Sequence, residues 1–81
     1  MSQRIKMIWD FKGPNGSQIA AHHVIHLKEF TVSERLENTL CEVEKVTDMH
    51  HIAYLVIDQS QVTDLRARLK PNRGQVYSEP K

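Results

Sequence analysis

Apolar and polar positions alternate through "RIKMIWDF", residues 4–11, with Ile5, Met7, Trp9 and Phe11 on one side and Arg4, Lys6, Ile8 and Asp10 on the other. A period of two belongs to a strand with one buried face, so the first element is expected to be a strand. "KGPNGS" follows, and its proline and glycines mark a turn. Ser17 is placed to cap a helix by accepting a free backbone N–H of its first turn. From Ser17 to Phe30 the period becomes helical: Ile19, Ala20, Val24, Leu27 and Phe30 fall within roughly 140 degrees on a helical plot. "TVSERLENTL", residues 31–40, departs from that stripe and is expected to be a connection holding at most a turn of helix.

"LCEVEKVT", residues 40–47, alternates again, and "HHIAYLVID", residues 50–58, is an apolar, β-branched and aromatic run. Asp48 and Met49 between them suggest a hairpin. "DQSQVTDLRARLK" sets Val62, Leu65 and Leu69 at helical spacing behind the capping candidates Asp58 and Ser60. Arg68 and Lys70 suit the negative end of that helix, and Pro71 ends it. "PNRG" reads as a turn and "QVYS" as a short last strand. The expected class is α+β in the order βαββαβ, the split βαβ arrangement of ferredoxin-like folds. That arrangement has a four-stranded antiparallel sheet of order 4-1-3-2 with two helices on one face.

Composition narrows the function classes. Eighty-one residues make one domain, residues 1–81, with 40% hydrophobic and 26% charged positions. No apolar run approaches the length of a membrane helix, and the N-terminal stretch lacks the apolar core of an export signal, so the cytoplasm is the expected compartment. The lone Cys41 excludes an internal disulfide and cysteine-pair zinc motifs. A net charge of +1 provides no field to recruit nucleic acid, and "HHIAYLVID" lacks the Gly-aromatic pattern of an RNA-recognition sheet.

The chemistry-bearing residues are mostly histidines. In "AAHHVIHLKEF", His23 lies inside the apolar stripe and is expected in the core, neutral and hydrogen-bonded; His26 lies at the edge of the stripe and His22 points to solvent. His22 and His26, four residues apart, can face one ion from adjacent turns. "HHVIH" nevertheless lacks the glutamate that follows the first histidine in zinc proteases.

The expected topology carries Trp9, Asp10, His22, Asp48, His50 and His51 to one end, with Arg68, Lys70 and Arg73 approaching it. A small-ligand pocket there would use Trp9, Asp10, His22, His50, His51 and Arg73. A divalent transition metal such as zinc would use His22, His26, His50 and His51 with Asp10 or Asp48. "GPNGS" has neither a phosphate-loop ending nor dinucleotide-binding glycine spacing. Cys41 or a serine has no third group to complete a nucleophilic site, so no catalytic residue is assigned and an enzyme is not the expected class.

A last pattern points to protein contact. If Ile5, Met7, Trp9 and Phe11 face the helices, the opposite face still receives Ile8 and one apolar set from "IAYLVI". Ile8, Ile52, Tyr54 and Val56 are the expected interface residues, covered by a second copy of the chain. The leading expectation is therefore a small non-enzymatic interaction or dimerisation module. The alternative is a histidine-lined metal or small-ligand domain.

Overall fold

The computed structural model describes residues 3–36 and 39–77. Its elements are β1 (Arg4–Lys12), α1 (Gly16–Ser33), β2 (Leu40–Thr47), β3 (His50–Asp58), α2 (Val62–Leu69) and β4 (Arg73–Tyr77). A single 3-10 turn, Gln59–Gln61, leads into α2, and the Asp58 carboxylate accepts the Ser60 N–H there at 2.9 Å. The fold is α+β: one four-stranded antiparallel sheet, in the edge-to-edge order β2-β3-β1-β4, with two helices. No helix among the described residues is long and apolar enough to cross a membrane.

Register fixes which side chains share a face. Met7 pairs with Leu55 and Trp9 with Ala53, while Cys41 on β2 also faces Leu55. These join Ile57, Ala20, Val24 and Leu27 of α1 and Leu65 of α2 in one core, so both helices pack on the same side of the sheet. Leu55, Ile57 and Ala53 are fully buried. The Leu55 and Ile57 side chains each contribute about 1.5–3 kcal/mol by leaving water.

Several local expectations are corrected. α1 starts one residue before Ser17; Asn15 occupies the cap position without a side-chain capping bond. The tight approach that sets this start belongs to Gly16, where a Cβ would lie 2.7 Å from the Phe11 carbonyl oxygen. Gly13, with φ +107, turns the chain, and its N–H donates to the Met49 carbonyl at 2.7 Å, tying the loop to the β2/β3 hairpin.

Nor does α1 end at Phe30. Thr31 is buried and its hydroxyl donates to the Lys28 carbonyl, which keeps a β-branched residue in the helix. The helix closes through Arg35 at φ 55, with the Leu36 N–H returning to the Thr31 carbonyl at 2.9 Å and Leu36 packed against the core. That is a Schellman ending with arginine where glycine is usual.

Ile19, placed on the apolar stripe by spacing, is half exposed, because the core side of α1 follows Ala20, Val24, Leu27 and Thr31 instead. β4 also begins earlier than "QVYS". Lys70 turns the chain at φ 50, and Asn72 donates its N–H to the Ile8 carbonyl at 2.9 Å, so Arg73 and Gly74 already pair with β1.

Candidate functional site

Antiparallel pairing of β1 with both β3 and β4 assembles a polar cluster on the helix-free face. Asp10 sits diagonal to His50, which opens β3, and to Arg73, which opens β4. The His50 Nε2 lies 2.8 Å from Asp10 Oδ1; a carboxylate only accepts, so Nε2 carries the proton and Nδ1 keeps the lone pair. Arg73 donates from Nη2 to Oδ1 at 3.1 Å and from Nε to Oδ2 at 3.3 Å. Asn72 Oδ1 accepts the Asp10 backbone N–H at 2.9 Å, locking the start of β4 against the same residue.

Burial alone would raise the Asp10 pKa, but the hydrogen bonds and charges of His50 and Arg73 outweigh it and hold the carboxyl below its ordinary value. A carboxylate holding Nε2–H orients the imidazole and leaves Nδ1 facing away from Asp10 as an acceptor. Asp10 and His50 are each 22% exposed in their side chains, and Arg73 is 53% exposed.

Of the six residues expected to bind a ligand, the structure thus brings together Asp10, His50 and Arg73 and separates the rest. Trp9 faces the helices, where its indole N–H donates to the Leu69 carbonyl at 3.1 Å. His51 pairs with Phe11 on the same inner side and has a buried Nδ1 without a partner. His22 stands on the outer surface of α1, its Nε2 2.9 Å from His26 Nε2.

The four histidines proposed as metal ligands therefore occupy three different surroundings. Among the described residues no three or more His, Cys, Asp or Glu groups gather where they could hold an ion. His26 is well exposed rather than at the edge of the core, and Asp48 is held by Lys45 at 2.7 Å. Arg68 does not approach this cluster either; it pairs with Glu34 at 2.8 Å and lies over the Phe30 ring.

His23 does enter the helix-sheet layer as expected, edge-on to Trp9 with ring centroids 4.9 Å apart. Its Nε2, however, is buried with no hydrogen-bond partner. Cys41 is unsuited to nucleophilic work: burial pushes its thiol up to about 11, with Lys28 opposing and Glu42 adding to the rise.

The remaining expected site residues are the interface set. Ile8 pairs with Tyr54, and Ile52 and Val56 lie on the same helix-free face of β3. Their apolar atoms are already sheltered: Ile8 is 2% exposed, Ile52 3% and Val56 0%. Long side chains of the sheet itself meet on this face. Lys6 places its ammonium 4.2 Å from the Tyr54 ring centroid and 3.7 Å from Glu44 Oε1.

Two participants escaped the sequence reading. Asn72 was signalled only by the general habit of asparagine to bond nearby backbone in turns, and Glu29 by its three-residue spacing from His26. No protein-family model, no curated protein and no solved structure matches this chain.

Proposed function

We propose that the chain is a small interaction module, ferredoxin-like in its βαββαβ order, that pairs with a second copy of itself across the helix-free face of the sheet. The observation carrying this reading is the distribution of charge on that face. Glu42 and Glu44 line the β2 edge, Lys6 and Arg73 lie on β1 and β4, and the Ile8–Tyr54 pair sits between them. A two-fold axis along the strands lays Glu42 on β2 of one copy over Arg73, the one basic residue of β4, on the other, with Ile8 and Tyr54 near the axis. That is the aligned packing of paired sheets and a closed, self-complementary contact.

Sedimentation velocity on two charge variants tests both the pairing and its orientation. Glu42→Lys and Arg73→Glu each stay monomeric alone, and an equimolar mixture pairs, because each variant then meets the opposite charge. A wild type that stays monomeric at all attainable concentrations, or a mixture that does not pair, overturns the reading.

The Asp10–His50–Arg73 cluster favours a second reading, a small-ligand site on the same face. The free Nδ1 of His50 and the remaining N–H groups of Arg73 suit a ligand carrying a hydroxyl beside a carboxylate or phosphate oxygen. Ring-nitrogen NMR of His50 during titration with glycolate and with phosphate reads it directly. Absence of any shift in the His50 and Arg73 signals at saturating probe removes this reading and leaves the first untouched.

A further inference from the structure

The outer surface of α1 carries a feature that the sheet-face contact does not use. His22 and His26 project from adjacent turns so that their Nε2 atoms converge to 2.9 Å, with ring centroids 4.5 Å apart and planes nearly perpendicular. Glu29, one turn further on, places Oε1 3.5 Å from the other nitrogen of His26, Nδ1. We infer that His22 and His26 form a two-imidazole chelate for a copper(II)-class cation, with Glu29 orienting the second ring and water filling the other coordination positions.

Tautomers are consistent with this assignment. A carboxylate beside Nδ1 favours the proton there, which leaves the lone pair of His26 on Nε2, the atom aimed at His22. In the metal-free protein His22 Nε2–H donates across the gap. On binding, His22 needs only the other neutral tautomer, with its proton on Nδ1, to offer a second lone pair.

The spacing of the two nitrogens is compatible with chelation. Two nitrogens bound at about 2.0–2.1 Å and at right angles are about 2.9 Å apart. A tetrahedral angle at the same bond length opens them to about 3.3 Å. The 2.9 Å separation is that of a hydrogen bond between the two rings and also fits a right-angled bite, so the pair is already at the spacing a tetragonal copper(II) ion takes, and the general affinity order favours copper over nickel and over zinc. Two protein donors and no third within the described residues make this an open, exchangeable site rather than a closed structural one. His26 and Glu29 are 62% and 70% exposed, so substitutions there leave the core intact.

The test is titration of the full chain with copper(II), nickel(II) and zinc(II), followed by visible absorption, electron paramagnetic resonance for copper, and competition for relative affinity. One copper per chain with splitting from two imidazole nitrogens is expected, binding in the order copper, nickel, zinc. His22→Ala and His26→Ala each abolish that two-nitrogen signal, while His50→Ala leaves it unchanged. Glu29→Gln weakens binding by up to about tenfold, the lower end of what a lost outer-shell carboxylate costs. Copper binding unaltered in both helix variants, or abolished by His50→Ala, or weaker than zinc binding, overturns the assignment. Self-pairing across the sheet is read separately by sedimentation and does not depend on the outcome.

Discussion

Strand β3 presents two apolar faces that are equally dry and differently protected. Leu55 and Ile57 on one face are 0% exposed beneath α1 and α2; Val56 and Ile52 on the other are 0% and 3% exposed with no helix above them. The inner face is kept dry by a layer of secondary structure whose side chains interlock with it. The outer face carries instead the long side chains of Lys6 and Tyr54, the Lys6 ammonium lying 4.2 Å from the Tyr54 ring centroid and 3.7 Å from Glu44 Oε1. Equal burial therefore does not mean equal rigidity, and the outer cover is one that a second copy of the chain can rearrange.

The largest expected effect contrasts the two faces directly. Leu55→Ala leaves a cavity between a central strand and two helices and costs about 2–5 kcal/mol, the range for deep leucine truncations. Ile8→Ala, at nearly the same exposure, costs about half as much, because Lys6 and Tyr54 can settle into the space or water can enter it. Chemical denaturation of both variants measures the difference. Equal losses would mean that the outer cover is as firmly packed as the helical layer.

Tyr54→Ala sharpens the same contrast. It removes the ring of the residue paired with Ile8 and, with it, the cation–π contact made by Lys6, a loss of about 1–2 kcal/mol. The Tyr54 hydroxyl already has its pKa raised, by burial first and then by Glu42 and Glu44, so it belongs to the covered surface rather than to bulk water. The variant should bind a hydrophobic dye and show altered self-pairing in sedimentation. A variant that is destabilised yet binds no dye would place the cover elsewhere than on Tyr54.

How much of this was readable from the chain follows from the same two faces. The alternation of Ile5, Met7, Trp9 and Phe11 identified β1 and its inner side, because only one face of that pattern is mostly apolar. "IAYLVI" is apolar on both sides, so its orientation rests on pairing with β1, which sets Tyr54 opposite Ile8 and Ala53 opposite Trp9. Topology was enough to place Asp10, His50 and Arg73 near one another. It could not sort His22 and His51 away from them, since that depends on the rotation of α1 and on alternation within β3. The length of α1 was hidden by Thr31, Val32 and Ser33, poor helix formers that packing overrides, and by a helix end built on Arg35 rather than glycine.

A smaller effect is expected from the polar end of the outer face. Asp10→Asn keeps the shape but removes the charge that holds His50 and Arg73, costing about 1 kcal/mol at neutral pH. The sign with pH follows from the lowered Asp10 pKa. A carboxyl that ionises more readily when folded contributes stability above its unfolded value near 3.8, and that contribution is lost as pH falls through the folded value. Wild type and variant should therefore converge in stability below about pH 4. A constant gap down to low pH would assign the loss to shape rather than charge.

The smallest effect tests the one weak point of the inner face. His23 is packed edge-on to Trp9, and its buried Nε2 has no partner. Burial, and secondarily the charge of His26, lower its pKa below 6.5. A histidine that resists protonation when folded, while the unfolded chain takes up the proton normally, stabilises the fold most above its unfolded pKa. Stability then declines as pH falls from about 6.5 toward the depressed folded value. Replacing His23 with leucine removes that dependence. At neutral pH the change is within about 1 kcal/mol either way, because a lost ring contact is offset by the removal of an unsatisfied nitrogen. Urea midpoints compared at about pH 7.5 and about pH 5.5 isolate the contribution, since the two proteins differ only at this position. If wild type and His23→Leu lose stability in parallel over that interval, the imidazole is protonated as readily inside the layer as outside it. The contrast between a rigid inner face and a yielding outer one would then fail at the position where the inner face carries its own titrating group.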